Sequence, residues 1–139
     1  MKTTLLLADH AQAAEGKLYI LGGGWSITNP TVIAMAIAIK IEVPWNEANT
    51  PHKLQLALVT EDGQPVKVNN QVCEIQGDFE VGRPAGLLPG TPLDVTLAVN
   101  MANLHLSPSS RYTWRCVIDG KMDDAWEVSF STRSVDQAS

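Results

Sequence analysis

The sequence predicts an all-β protein, an antiparallel two-sheet β-sandwich of Greek-key, immunoglobulin-like type with about eight strands. Three observations carry that prediction. From Ile33 to Val43 every second residue is large and aliphatic (Ile33, Met35, Ile37, Ile39, Ile41, Val43), a period of two in which successive side chains face opposite ways. Several later segments repeat the alternation and are punctuated by Gly, Pro and Asp-Gly. Outside the ambiguous stretch Leu5 to Ala14, no segment shows the 3.6-residue period of a helix.

In chain order, Thr3 to His10 reads as a first strand, and Glu15-Gly16 turns into a second, Lys17 to Leu21. Gly22-Gly23-Gly24 lacks phosphate-loop spacing and reads as a bulge or close backbone approach that lets Trp25 turn inward. Val32 to Val43 is the central strand. Its second face is Val32, Ala34, Ala36 and Ala38 before Lys40 and Glu42, so something must lie close against the alanines. That cover is either a neighbouring chain or the chain's own N-terminal segment or second sheet. Trp45 to Pro51 is a loop. Lys53 to Thr60 is a strand, and Asp62-Gly63 marks a hairpin into Pro65 to Val68. Val72 to Val81 puts Cys73, Ile75, Phe79 and Val81 inward against an acidic outer row. Gly82 to Pro92 is a long loop carrying Leu87 and Leu88. Leu93 to Met101, Arg111 to Ile118 and Asp124 to Ser131 complete the strands, with Asp119-Gly120 as a second hairpin signal. Tyr112 after the turn Ser107 to Ser110 has the placing of a tyrosine corner, whose hydroxyl ties back to upstream backbone. One domain is expected over 1–131, with a frayed tail at 132–139.

Composition narrows the function classes. The chain has 139 residues, 45% of them hydrophobic, and a formal charge of −5 without any basic cluster, which argues against nucleic acid as a partner. Asp9 and His10 interrupt the short apolar run after Met1, against a secretory leader, and no apolar run approaches the ~20 residues of a membrane helix. A cytoplasmic protein without membrane insertion is expected. Cys73 and Cys116 both fall on inward faces. A disulfide between them is conceivable, but two buried thiols are the preferred reading.

No catalytic constellation, cofactor motif or metal site emerges. The histidines His10, His52 and His105 lack partners at ligand spacing. His10 beside Asp9 and His52 near Glu47 are the only combinations worth naming. Asp123-Asp124 and Glu61-Asp62 fit turn chemistry, and no serine lies in a nucleophile elbow. Two features point to binding. The first is the row Ala34, Ala36, Ala38. The second is a loop pair, Trp45 and Asn46 with Arg83, Leu87 and Leu88, residue types that dominate interface energetics or supply apolar area.

The ordered strings L-L-A-D-H-A-Q (Leu6 to Gln12), G-K-L-Y-I-L-G-G-G-W (Gly16 to Trp25), V-P-W-N-E (Val43 to Glu47), G-R-P-A-G-L-L-P-G (Gly82 to Gly90) and R-Y-T-W (Arg111 to Trp114) cover nearly the whole chain. Together they resemble a family of small bacterial proteins, common in actinobacteria, that carry a domain of unknown function. The resemblance implies a compact all-β cytoplasmic protein and transfers no catalytic residues.

The expected function is therefore non-enzymatic: a self-associating assembly or scaffold module forming a homo-oligomer, with a cyclic ring among the symmetries available. The alternative is a carrier or sensor of a small apolar ligand, held between sheets or at a subunit junction lined by Trp25, Trp45, Leu87 and Leu88.

Overall fold

In the computed structural model, which describes residues 1–68 and 70–135, the alternating segments become strands. In chain order they are β1 (Lys2–Ala8), β2 (His10–Ala14), β3 (Lys17–Leu21), β4 (Ile27–Thr28), β5 (Thr31–Val43), β6 (His52–Thr60), β7 (Lys67–Val68), β8 (Gln71–Val72), β9 (Glu74–Phe79), β10 (Leu93–His105), β11 (Arg111–Ile118) and β12 (Lys121–Thr132), with a 3₁₀ turn at Trp45–Glu47 after β5. They form open sheets. One has the order β1-β5-β10, a second β4-β12-β11-β6-β9, and β2-β3 and β7-β8 are separate hairpins. All pairings are antiparallel except β4 with β12. The described residues thus hold twelve strands where about eight were expected. The surplus comes from the two-residue strands and from the break of the first strand at Asp9. Leu5 to Ala14 is extended, not helical.

Turn chemistry fixes the reversals. Glu15-Gly16 (φ 53° and 72°) and Asp119-Gly120 (φ 52° and 77°) both have two central residues at positive φ, the type I′ geometry that matches strand twist. Tyr112 Oη accepts a hydrogen bond from the Ser107 N–H at 3.0 Å, the upstream tie expected of it. The β12 edge bulges between its pairings at Glu127 and Met122, so Asp123-Asp124 lies in this bulge rather than in a turn.

Strand β5 is central, between β1 and β10. Met35, Ile37, Ile39, Ile41 and Val43 are fully buried and share one hydrophobic cluster with Leu56, Leu58, Trp114 and Phe130 of the five-stranded sheet. Ile33 departs from the expected core face and is 77% exposed. The cause lies in β10, where Asn103, flanked by the pairings Ala102–Ala34 and Leu104–Val32, takes φ 57°. The facing of the side chains switches there, so Val32 and Leu104 enter the core in place of Ile33. Both cysteines are free; Cys116 is buried and Cys73 half-buried. Burial pushes the Cys116 thiol up to about 11.

The cover over the alanine row comes from within the chain. Hairpin β2–β3 lies against the outer face of the three-stranded sheet, where Ala8, Ala11, Ala36 and Ala38 form a second cluster joined by Leu18 and Ala98. Alanine suits this place because a methyl group lets the hairpin backbone approach closely. The Asn100 side chain clamps the contact: Oδ1 accepts from the Ala11 N–H (3.1 Å) and Nδ2 donates to the Ala11 carbonyl (2.8 Å). The glycine run closes the hairpin on β1, with Gly24 N–H donating to the Leu7 carbonyl at 2.7 Å. A side chain on Gly23 would meet Ile20 Cγ2 at 2.6 Å. Trp25 then turns inward, edge-on to Phe130 at 5.9 Å. Asn100→Ala removes both clamp bonds. It is expected to cost about 1–2 kcal/mol and to raise amide exchange selectively in β2 and β3, read by hydrogen-exchange mass spectrometry.

The C-terminal end of β12 is better held than the expected fraying from 132 onward. Thr132 is buried, its Oγ1 donates to the Ser107 carbonyl at 2.7 Å, and Arg133 N–H donates to the Thr28 carbonyl at 2.9 Å. Residues 136–139 of the expected tail lie outside the described residues.

Candidate functional site

Two loops meet at the end of the fold where β5 stops. Pro44 ends the strand and caps the 3₁₀ turn Trp45–Glu47, with Glu47 N–H donating to the Pro44 carbonyl at 2.9 Å. Arg83, from the long loop before β10, reaches back to this turn. Its Nη2 and Nε donate to the Trp45 carbonyl at 2.6 and 3.2 Å, and its guanidinium carbon stands 4.7 Å from the centre of the indole. The stack combines a cation over an aromatic face with a forked hydrogen bond, a geometry lysine could not reproduce. Beside it lies a cleft of about 540 Å³ lined by Pro44, Trp45, Asn46, Gly90 and Pro92, with the Lys2–Glu42 ion pair (3.7 Å) on its wall. In the same loop as Gly90, Leu87 and Leu88 are exposed, Leu88 by 78%.

Behind the 3₁₀ turn sits His52, 5% exposed and stacked on Phe79. Its Nδ1 lies 2.7 Å from Asp119 Oδ2 and its Nε2 lies 3.0 Å from the Glu47 carbonyl oxygen. The other Asp119 oxygen accepts from the Lys53 N–H at 2.9 Å. Burial pulls the His52 pKa down, but the Asp119 and Glu47 hydrogen bonds and the two nearby carboxylates outweigh it, and the net shift is upward. The hydrogen bond from His52, and then that from the Lys53 amide, holds Asp119 below its ordinary value. A carboxylate beside a histidine resembles half of a catalytic triad. Here, however, the second nitrogen is taken by a backbone carbonyl, so the ring offers no atom to a substrate. The arrangement is a tie between the β11–β12 turn, β6 and the 3₁₀ turn.

A third feature is β10 itself. It ends the three-stranded sheet, and its outer backbone edge has no strand partner among the described residues. Its thirteen residues include one acidic side chain, Asp94, and no lysine, arginine or proline. Val95, Leu97, Val99 and Met101 are only partly buried, whereas their neighbours on β5 are fully covered. The other edges differ: β1 lies beside β12, and β9 carries Glu74 and Asp78.

Residues 3–130 match the profile of a family of unknown function, DUF6941. The chain belongs to this family. Neither a curated protein nor a solved structure matches it. Membership in DUF6941 agrees with the resemblance carried by the motif strings, several of which now have a physical role. G-G-G-W closes the hairpin, and W-N-E and G-R-P-A-G-L-L-P-G supply the stacked loops.

Of the candidate residues, Trp45, Asn46 and Arg83 come together, with Leu87 and Leu88 in the same loop as Arg83. Ala36 and Ala38 are covered by β2–β3 within the DUF6941 chain and offer no surface to a partner, while Ala34 is exposed. Trp25 does not join Trp45. It packs edge-on against Phe130 of β12. His52 approaches Glu47 through the backbone carbonyl, not the carboxylate, and no group of three metal-ligating side chains occurs among the described residues. The Asp119 partner of His52 is 67 positions distant, and no local pattern announces it. The unpaired β10 edge likewise follows from sheet order, which alternation within one strand does not encode.

Proposed function

We propose that this DUF6941 protein is a non-enzymatic, self-associating β-sandwich that acts as an assembly module and pairs with a second copy along β10. The observation that carries the reading is the unpaired thirteen-residue edge with a single acidic side chain. Monomeric proteins guard such edges with lysines, prolines, bulges or a covering segment. Here the positive φ of Asn103 perturbs only the last residues. About 33 Å of edge backbone, Leu93 to Ala102, remains, flanked by a half-covered apolar row. Two like edges paired about a two-fold axis satisfy one another and close at the dimer; a larger ring would need a second contact, for which the Trp45–Arg83 loops are the available surface. The single core cluster shared by the two larger sheets supports the sandwich reading, and two free cysteines fit a reducing, cytoplasmic setting.

The test is the native mass by sedimentation at about 1–100 µM. The wild type is expected to run as a dimer or larger species. The double variant Thr96→Lys, Ala102→Lys places two lysines along the edge on the outer face and is expected to run as a folded monomer with an unchanged circular dichroism spectrum. A wild-type monomer at every concentration overturns the proposal. A second reading, a carrier of a small apolar ligand, is supported by the cleft between Trp45 and Pro92. It predicts a retained small molecule in native mass spectra, displaced by Trp45→Ala.

A further inference from the structure

We propose that His52 is a proton-operated latch on the Trp45–Arg83 element: protonated, it holds the 3₁₀ turn in place, and neutral, it lets the turn go. Both ring nitrogens of His52 face acceptors, a carboxylate oxygen at 2.7 Å and a carbonyl oxygen at 3.0 Å. Only the imidazolium has two N–H donors and can satisfy both. The neutral ring has one proton and keeps it toward the stronger acceptor, the Asp119 carboxylate. The Nε2 lone pair then faces the Glu47 carbonyl oxygen, and that contact changes from attraction to repulsion. A buried ring stacked on Phe79 cannot swing away to relieve it.

A second observation points the same way. Glu47 Oε2 is buried and has no hydrogen-bond partner. The imidazolium charge acts on both the Asp119 and the Glu47 carboxylates, and its loss leaves the Glu47 carbonyl and carboxylate without compensation, while Asp119 keeps the remaining ring proton and the Lys53 N–H. The charged groups nearest along the adjoining elements are Lys53 on β6, Asp78 opposite it on β9 and Lys121 at the start of β12, while Glu74 on β9 and Arg115 on β11 lie further along, level with Ala57. Of these, the Lys53 backbone and the Lys121 charge act on Asp119, steadying the carboxylate end of the tie. The end that yields is the 3₁₀ turn. Trp45 belongs to that turn and its carbonyl is the acceptor for Arg83, so release of Glu47 loosens the indole–guanidinium stack. His52 is a positioning residue in this account, and the latch operates in one chain whether or not β10 pairs with a second copy.

The experiment follows backbone amide exchange at Glu47 and Ala48 by NMR, corrected for intrinsic rates and referenced to the core amide of Leu56. The His52 ring is titrated in the same samples over roughly pH 5.5–8.5. In the wild type, protection of the turn is expected to fall about tenfold in step with loss of the ring proton, while Leu56 stays protected. In Asp119→Asn, the transition in both signals is expected to move to lower pH, because the carboxylate that favours the imidazolium is gone. In His52→Phe, turn protection is expected to be low and independent of pH. Turn protection that stays constant while the wild-type ring titrates overturns the latch. So does a transition that Asp119→Asn fails to move. Should His52→Phe not fold, these two outcomes still decide the matter.

Discussion

Ala36→Arg is expected to abolish folding, whereas Ala34→Arg, two residues away on the same strand, is expected to leave a folded protein. Ala36 is wholly buried between the main sheet and hairpin β2–β3, opposite Ala8 on β1. Its cross-strand neighbours are Ala8 on β1 and Asn100 on β10, neither of them acidic. An unpaired guanidinium there costs at least about 3–5 kcal/mol in desolvation, and prying the hairpin from the sheet adds to that. A domain with about 5–15 kcal/mol of total stability retains little after such a loss. Ala34 lies beyond the hairpin and is exposed, so its replacement meets solvent. The yield of folded protein and the thermal transition of the two variants check the contrast. A stably folded Ala36→Arg protein would mean that the hairpin does not cover the alanine row in solution.

Asp119→Ala is expected to destabilise the protein by about 2 kcal/mol at pH 5.5, with a smaller loss in alkaline solution. The figure is kept low because the Asp119 side chain is itself 39% exposed. The pH dependence follows from the two shifts. His52 is raised above its ordinary 6.5, so its contribution is complete below 6.5 and is lost as pH rises through the folded value. Asp119 is depressed below 3.8, so its contribution is present above 3.8 and is lost as pH falls through the folded value. The pair therefore stabilises the fold most between these limits. Denaturant unfolding of wild type and variant across the range should show the difference largest there and shrinking on both sides. An equal loss at every pH would remove the ionic character assigned to the tie.

Much of the strand content was legible because each strand carries its burial pattern locally. Arg111 to Ile118 is read with the bounds of β11, and the two Asp-Gly pairs stand at reversals as expected. Tyr112 announces its hydrogen bond because the partner backbone is only five residues upstream. The loop pair was legible for another reason. Trp45 and Arg83 are residue types that a loop exposes only where they meet something, and here they meet each other. Ile33 was misread because its exposure depends on Asn103 across the sheet, and Leu5 to Ala14 stayed ambiguous because small residues blur both periods.

The sequence by itself determined that the protein is built of strands, which strand is central and where the chain reverses, since alternation and turn residues act over a few neighbouring positions. It also determined that the alanine face had to be covered, because its side chains are too small and apolar for a solvated sheet. The tertiary structure alone decided what covers it, through the Asn100–Ala11 clamp between residues 89 positions apart. It alone decided that β10 has an edge without a strand partner among the described residues and that His52 meets Asp119. Those outcomes depend on which strands become neighbours, and strand order is settled by the packing energy of the whole sheet rather than by any one segment.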